Sequence, residues 1–348
     1  MAQNLTLVSG SPLIENPVVF RVTAANLSGQ PSLTFHRVKM SVAVEASSIG
    51  LSKTYELSEP VASEGSNVIV DIDISSALRA IADEYEYAPH SVAGDNSYPV
   101  FSAHIEAWDE YMSAGEIHTT QHIQIQGYFK FLLGGFTDFE RMTSGQTKGV
   151  TALTRKPSAG EVIPIDSKLY VYALSYAYSA NDWASQSTPS TPQTRAVLTS
   201  SLTLGVNTLA GRDVYAVKDD AVYVPFQFVN GLGVVESIYA QCYPEESVHK
   251  TVKEYDVTVP SAFNKVERNV VRKANSRHQL KMTSGPVTEA WQKWWQEEFL
   301  NSTQAWMYYR NTWVPVSIIP DEDTAGIDHT TDDLPEVQFT VKMNFEGC

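Results

Sequence analysis

The run VKMSVAVE at residues 38–45 alternates large apolar residues with polar or small ones. Successive side chains of an extended strand point to opposite faces, so this alternation places Val38, Met40, Val42 and Val44 on one face. An antiparallel strand that is buried on one side and solvated on the other has this pattern. The run therefore predicts a half-buried β-strand.

The same alternation recurs in three further segments, at residues 68–74, 101–107 and 117–125. Polar turns separate these segments, which is typical of the antiparallel strands of a β-sandwich. A short helix is predicted between them at residues 73–81, where Asp73 or Ser75 can cap the first turn. Residues 1–130 are therefore predicted to form an antiparallel β-sandwich domain.

A second domain is predicted at residues 131–348. Gly134, Gly135 and a polar stretch at residues 143–149 interrupt the strand pattern between the two domains. Strand-like segments then resume at residues 169–178, 214–217, 222–228, 237–243, 254–259, 305–309, 313–319 and 336–345. The whole chain is thus predicted to be mainly β, with a β-rich domain following the sandwich.

One strong helix is predicted near the C-terminus, at residues 286–300. Trp291, Trp294 and Trp295 recur at helical spacing, and Pro286 suits a first helical turn. A helix with this much aromatic surface packs against a sheet of its own chain or against a neighbouring subunit. The three tryptophans are therefore candidate interface residues, with packing in a core as the alternative.

The composition is that of a globular protein. The chain has 348 residues, of which 43% are hydrophobic and 19% are charged, enough for two domains with sizeable cores. Its formal net charge of −15 argues against a nucleic-acid binder, because phosphate contacts need a surplus of Lys and Arg. With Cys242 and Cys348 as the only cysteines, neither a disulfide framework nor a cysteine metal site is available.

The N-terminal residues lack the basic region and the continuous apolar region of a signal peptide. No later stretch reaches the apolar length that a membrane-spanning helix needs. We therefore expect synthesis in a cytoplasm and no membrane insertion. An extracellular role would then require assembly into a particle that is released by lysis.

Catalytic motifs of the common hydrolase, nucleotide-binding and metalloprotease types are not found in the sequence. Asp109 and Glu110 are adjacent on a predicted strand and so point to opposite faces, which does not suit joint acid and base catalysis. His118 and His122 would stand about 13 Å apart on one strand, too far to bind one metal ion. We expect no enzyme activity and no catalytic residue, although a glycosidase can draw its two acids from distant positions.

The acidic loop at residues 321–333 has part of a calcium-binding pattern. Asp321, Asp323 and Asp332 fall at ligand positions of a twelve-residue calcium loop. Ala325, however, occupies another ligand position, and strands flank the loop where the motif requires helices. A solvated acidic loop is therefore favoured over a calcium site, and we expect no metal and no cofactor.

The segment at residues 265–281 is basic, in contrast to the rest of the chain. It contains Arg268, Arg272 and Lys273 but no aromatic residue, so a nucleic-acid interface is not indicated. A contact between subunits explains the charge better. We expect this segment to pair with an acidic surface, and the loop at residues 321–333 of a neighbouring copy is one candidate.

A Ser-, Thr- and Pro-rich loop is predicted at residues 181–194, and it contains Trp183. An exposed tryptophan can stack on a sugar ring, which makes Trp183 the candidate ligand contact. The tyrosines at residues 170–178 and the late tryptophans are better explained as core or interface residues, where their large area contributes most.

Two parts of the second domain resemble known proteins. They are the run FVNGLGVVES at residues 228–237, and the pattern from Ser284 through Trp291, Trp294 and Ser302 to Trp306 and the run VPVSI at residues 314–318. In spacing and residue type these parts resemble the tail and baseplate proteins of phages and prophages of Bacteroides-type bacteria, and the distal tail protein among them.

This resemblance implies a virion structural protein, made in the host cytoplasm, that takes its place in the phage tail. Distal tail proteins form rings of six copies that join the tail tube to the tip or baseplate, so the implied partners are further copies of this chain and neighbouring tail proteins. Two alternatives stay open. One is a receptor- or carbohydrate-binding tail fibre domain, and the other is a polysaccharide depolymerase.

Overall fold

The computed structural model describes residues 4–9, 13–46, 50–62, 68–97, 101–125, 129–137, 140, 153–173, 193–218, 222–260, 265–321 and 335–343. Within these ranges, the side chains of residues 9, 82, 95–97, 193 and 243–278 are not described. The described chain consists mainly of antiparallel β-strands, with one short tryptophan-rich helix near the C-terminus. The predicted fold class is confirmed.

Ten strands belong to the N-terminal part of the chain. They are β1 (Asn4–Ser9), β2 (Val19–Thr23), β3 (Phe35–Ala46), β4 (Leu51–Pro60), β5 (Ile69–Asp73), β6 (Gly94–Ser97), β7 (Phe101–Ser113), β8 (Glu116–Thr119), β9 (Ile123–Gln124) and β10 (Phe129–Phe131). One sheet has the order β1-β2-β5, and a second has the order β10-β7-β3-β4, with β8 and β9 also pairing with β7. All of these pairings are antiparallel.

The core of this part lies between the two sheets. Every second residue of β3 from Val38 to Val44 is fully buried, as the alternation in the sequence predicts. From the opposite sheet, Phe20 meets Phe129 edge-to-face with ring centroids 5.1 Å apart. The predicted β-sandwich is therefore present, with apolar faces turned toward each other.

A short helix, α1 (Ser75–Ala82), follows β5 directly. The Asp73 carboxylate accepts a hydrogen bond from the Ser75 backbone N–H at 2.9 Å, which satisfies a group that the first turn leaves unpaired. Leu78 and Ile81 are fully buried on the inner side of the helix. The predicted helix and its buried face are confirmed, whereas the N-cap position is taken by Ile74 and not by either of the predicted residues, Asp73 or Ser75.

Eleven strands make up the rest of the described chain. They are β11 (Glu161–Ile165), β12 (Leu169–Ala173), β13 (Gln193–Leu198), β14 (Gly205–Leu209), β15 (Arg212–Lys218), β16 (Tyr223–Val229), β17 (Val235–Pro260), β18 (Lys265–Pro286), β19 (Ala305–Tyr309), β20 (Thr312–Pro320) and β21 (Glu336–Met343). Six of them close a barrel in the order β16-β17-β18-β21-β20-β19. The other five form two small sheets, β11-β15-β14, with β11 and β15 parallel, and β12-β13-β6.

The tryptophan-rich helix is shorter than predicted. It comprises α2 (Glu289–Trp294) and a following π-helical turn (Trp295–Phe299), and the prediction of a first turn at Pro286 is wrong. Pro286 ends β18, where it lies opposite Glu336 of β21. A proline has no N–H to donate, so it fits the end of a strand as well as the start of a helix.

The two predicted domains are joined by an apolar cluster to which both contribute. The apolar cluster that contains Phe20 and Val44 also includes Val234 and Trp306. In addition, β6 of the N-terminal part pairs with β13 of the C-terminal part. Packing therefore continues across the boundary predicted near residues 130–149, of which residues 138, 139 and 141–149 lie outside the described ranges.

Candidate functional site

A cleft lies where the N-terminal and C-terminal parts meet. Its volume is about 520 Å³, and it is open to solvent. Six separate parts of the chain supply its walls: Glu15, residues 83–87, residues 133–137, Arg155, residues 229–233 and residues 297–304. Because these parts are far apart in sequence, only the tertiary fold creates the cleft.

Arg155 lines this cleft and links several segments of the chain by hydrogen bonds. Its guanidinium donates to the Glu140 carboxylate at 2.7 and 2.8 Å, to Glu298 at 2.6 Å and to the Gly135 carbonyl at 2.7 Å. Glu298 also accepts the N–H of Gly231 at 2.9 Å. Burial alone would raise the pKa of Glu140, but hydrogen bonds from Arg155 and Thr137 lower it below its usual value.

The rim of the cleft is acidic and carries two tyrosines. Glu15, Asp83 and Glu297 contribute carboxylates, and burial raises the pKa of Glu15 although Arg79 and Arg155 act to lower it. Tyr85 and Tyr87 meet edge-to-face with centroids 4.8 Å apart. A rim of this kind offers hydrogen-bond acceptors and aromatic surface, which suit a hydroxyl-bearing or cationic ligand.

A buried ionic network joins three strands outside the cleft. Lys156 donates to Glu161 at 2.7 Å, the Tyr170 hydroxyl donates to the same carboxylate at 2.8 Å, and Arg212 donates to it at 3.2 Å. Burial, together with the Glu161 charge, raises the pKa of Tyr170 well above its usual value. All four side chains are at least nine-tenths buried, so this network joins β11, β12 and β15 and has no access to a ligand.

The long hairpin of β17 and β18 extends past the barrel strands with which it pairs. β17 pairs with β16 only over Val235–Gln241, and β18 pairs with β21 only from Gln279 onward. Among the described strands, residues 247–260 pair only with β18, and residues 265–278 pair only with β17. We call residues 247–278 the hairpin arm.

An apolar row crosses the outer face of the small sheet β11-β15-β14. Val162, Tyr215 and Val206 lie directly opposite one another on the three strands. Their exposed fractions are 38%, 52% and 67%, and nearby Leu204 is 70% exposed. Residues paired across strands in this way share one face, so these side chains form a continuous apolar strip on the surface.

The three tryptophans predicted as interface candidates lie inside the chain. Trp291, Trp294 and Trp295 are only 2%, 4% and 2% exposed, and they pack with Phe228 and Phe339 in the core of the barrel. Almost none of their surface is left for a partner. Of the two roles that the sequence allowed, the structure shows core packing.

The predicted charged contacts are only partly within the described structure. Arg268 lies opposite Val257 and Lys273 opposite Lys253 in the hairpin arm, and Arg272 sits beside Lys273 where the pairing register shifts. Their side chains are not described.

The candidate ligand contact and the calcium pattern fall mostly outside the described residues. Trp183, Asp323 and Asp332 are not described. Asp321 accepts a hydrogen bond from the Thr340 hydroxyl at 3.2 Å. Within the described ranges, no three His, Cys, Asp or Glu residues come together as a potential metal site.

Two histidines considered as ligands stack on separate aromatic rings. His118 stacks on Tyr111 with centroids 5.3 Å apart, and His122 stacks on Trp108 at 4.3 Å.

The paired carboxylates on β7 also have different partners. Asp109 bonds to His36 at 2.7 Å, whereas Glu110 accepts from Arg37 at 2.8 Å. Asp109 and Glu110 thus point to opposite faces, as the sequence predicts.

Sequence reasoning missed both the cleft and the apolar row. The cleft has no local signal, because its carboxylates come from segments far apart in the chain. The apolar row has only a weak local signal, because residues 214–217 are apolar on both faces of β15 although the strand alternates in burial. Which of its two faces is covered depends on the neighbouring sheets.

Comparison with known proteins gives no relative: no family model, no curated protein and no solved structure matches the chain. In the part of the chain that the structure describes, no helix is both long and apolar enough to cross a bilayer.

Proposed function

We propose that this chain is a virion structural protein, a subunit of a phage tail tip or baseplate that acts through protein–protein contacts. Further copies of the chain and neighbouring tail proteins are its partners, in a ring for which the resemblance in the second domain implies six copies. The phage assignment rests on that resemblance, and the role of an assembling subunit rests on the surface of the described structure.

The observation that carries the proposal is the apolar row of Val162, Tyr215, Val206 and Leu204. These side chains are 38–70% exposed, and Val162, Tyr215 and Val206 lie directly opposite one another on paired strands, whereas isolated exposed apolar residues are the rule on the surface of a monomer. Contiguous apolar patches with a polar rim mark surfaces that another protein covers. A tail subunit has such surfaces because each copy contacts its neighbours in the ring.

The mass of the purified protein in solution tests this proposal first. Light scattering followed by electron microscopy of the same fraction should show a closed ring. A compact trimeric spike would instead support a tail fibre domain or a depolymerase. A chain that stays monomeric, alone and with its neighbouring tail proteins, would contradict the proposal.

A double substitution in the apolar row tests the observation itself. Tyr215→Ser with Val206→Thr should weaken association at least about tenfold, because burying the two lost side chains contributes more than 1.4 kcal/mol. A matched control is Tyr223→Ser on β16, a half-buried tyrosine outside the row. Equal association of both variants and the unmodified protein would exclude this row as an interface.

The cleft favours a second candidate function, a carbohydrate-binding tail component. Tyr85, Tyr87 and the acidic rim offer the aromatic surface and the acceptors that sugar hydroxyl groups require. Glycan-array binding that is lost in an Asp83→Asn, Tyr85→Ala variant would support this function. Release of reducing ends from host polysaccharide would point to the depolymerase.

A further inference from the structure

The hairpin arm is a long two-stranded segment that extends beyond the other barrel strands of its own chain. Residues 248–260 pair one-to-one with residues 265–278, apart from Arg272 at one register shift, and thirteen residues of strand span roughly 43 Å. An isolated two-stranded hairpin is marginally stable in water at best, and it gains stability by packing on another surface. No described strand of the same chain pairs with this part of the hairpin.

The charge of the hairpin arm is opposite to that of the rest of the molecule. Residues 247–278 contain seven of the 25 Lys and Arg residues of the chain but only three of the 40 Asp and Glu residues. The arm therefore carries a formal charge of +4, whereas all other residues together carry −19. We call these other residues the body of the molecule. A segment with the charge of the arm is attracted to the body of any other copy.

We propose that the hairpin arm docks on the acidic body of a second copy of this chain. The inference rests on the proposed function and adds the element that joins the copies. Docking of the arm of each copy on the next is a head-to-tail contact, and such contacts close into a ring when the rotation between copies permits. The body supplies the surface that the two-stranded arm lacks, and the opposite charges select the orientation and accelerate encounter.

A polyanion such as DNA or an acidic glycan is the alternative partner that a basic arm can bind. The body argues against it, because a charge of −19 elsewhere on the molecule repels a polyanion that approaches the arm. Within the arm, Glu254, Asp256 and Glu267 interrupt the basic residues. In a contact between two copies of the chain, the positive arm of one copy faces the negative body of the other, so the two charges are complementary.

Shortening the hairpin arm is the first test. Lys250 lies opposite Ser276, so residues 251–275 can be replaced by Asn-Gly, a dipeptide that closes a two-residue turn between paired positions. Light scattering should show at least a roughly hundredfold weaker association for this variant, in line with the loss of a complete interface element. Unchanged emission from the buried tryptophans of the barrel core would show that the fold survives.

The results for the full chain and the shortened chain separate the two proposals. If the full chain associates and the shortened chain associates equally well, the docking inference is overturned and the proposed function stands. If the full chain never associates, the proposed function fails as well. If the shortened variant does not fold, the charge and cross-linking measurements below decide in its place.

Charge reversal tests whether electrostatic attraction holds the arm. An Arg268→Glu, Arg272→Glu variant should associate at least about tenfold more weakly at low salt, and the difference from the unmodified protein should shrink at high salt. The matched control reverses two exposed residues outside the arm, Arg195→Glu with Lys218→Glu, which changes the net charge equally. Equal weakening by both pairs would show a general charge effect and overturn the inference.

Cross-linking identifies the surface on which the arm docks. A carbodiimide joins lysines to carboxylates in direct contact, and mixing ¹⁴N-labelled and ¹⁵N-labelled copies separates links between copies from links within one. We expect mixed-isotope links from Lys250, Lys253, Lys265 or Lys273 to acidic residues outside residues 247–278. Links only within one copy, or only from arm to arm, would overturn the inference, as would heparin binding that requires the arm at physiological salt.

Discussion

Gly134 and Gly233 allow two distant segments of the chain to cross with their backbones in contact. A Cβ atom on Gly134 would lie 2.2 Å from the carbonyl carbon of Leu232, and one on Gly233 would lie 2.4 Å from that of Leu133. Both glycines have positive φ angles, of +91° and +79°. The crossing also includes a hydrogen bond from the Gly135 N–H to the Gly231 carbonyl, at 2.9 Å.

A Gly134→Ala substitution should therefore destabilise the protein by more than about 3 kcal/mol, because the backbone must move and the left-handed conformation is strained. Gly211→Ala is the matched control, with a φ of +73° but no neighbouring atom within 4 Å of the added Cβ. It should cost only about 1–2 kcal/mol. Urea unfolding measures both values, and equal losses would show that the crossing is not tightly packed.

His90 is a buried histidine held between the two parts of the chain. Its backbone N–H donates to the Gln227 side chain at 2.7 Å, and its ring lies 3.2 Å from the Thr194 hydroxyl. Burial lowers the pKa of the imidazole from 6.5 to about 4. The folded protein therefore keeps His90 neutral at pH values where the unfolded chain already binds a proton.

The contribution of His90 to stability should thus be complete above pH 6.5 and should fall as the pH decreases toward about 4. Over this interval we expect a loss on the order of 1–2 kcal/mol, less than the full shift implies because the site is partly solvated. A His90→Asn variant should lose less stability on acidification than the unmodified protein. Parallel urea unfolding series at pH 7 and pH 4.5 measure the difference, and identical pH dependence would contradict this role.

At the scale of the elements, α2 and the following π-helical turn contribute their aromatic side chains to the core of the barrel. Trp295 meets Phe299 at 4.9 Å and Phe339 at 5.9 Å between ring centroids, and Phe226 meets Phe299 at 5.5 Å. Aromatic pairs in these geometries stabilise a core beyond the area that they bury. Six residues of α-helix are too few to be stable in water alone, so this packing holds the helix in place.

A Trp295→Ala substitution should therefore cost about 3–5 kcal/mol, the range for removing a buried aromatic side chain. Lys293→Ala on the same helix is the control, since its side chain is 61% exposed and its loss should change stability by only about 0.5 kcal/mol. Thermal unfolding followed by circular dichroism compares the two variants. A small loss for Trp295→Ala would mean that the barrel core collapses readily around the gap.

At the scale of the whole molecule, the two predicted domains depend on each other. The sandwich core includes Leu132, Leu153, Val234 and Trp306, which lie beyond the predicted boundary at residue 130. We therefore expect one cooperative unfolding transition for the full chain, with coincident midpoints by circular dichroism and tryptophan fluorescence. Two separated transitions would show that the parts are independent.

Expression of residues 1–130 alone gives a second measurement of the same property. This fragment lacks the core contributions from the C-terminal part, so it should be poorly soluble or partly unfolded. A fragment with the dispersed amide signals of a folded domain would contradict a core to which both parts contribute.

Local pattern in the sequence predicted several elements of this fold, although the segment at 117–125 forms two short strands and the segments at 237–243 and 254–259 belong to one strand, β17. The alternation of residues 38–45 predicted a strand with a buried face, and the segment at residues 73–81 predicted a short helix. These features depend on neighbours close in sequence, where strand alternation and capping act directly. The tryptophan spacing likewise predicted a helix, although its first turn was placed three residues too early.

Local sequence patterns suffice to predict a mainly β chain, its late helix and a basic segment in an acidic protein. Long-range packing, in contrast, places the late tryptophans in a core, brings Gly134 and Gly233 together at a crossing and leaves one sheet face apolar and exposed. The cleft around Arg155 also exists only in the fold. The physical reason is that burial and close approach depend on residues far apart in the chain, and the order in which strands pair determines which of them meet.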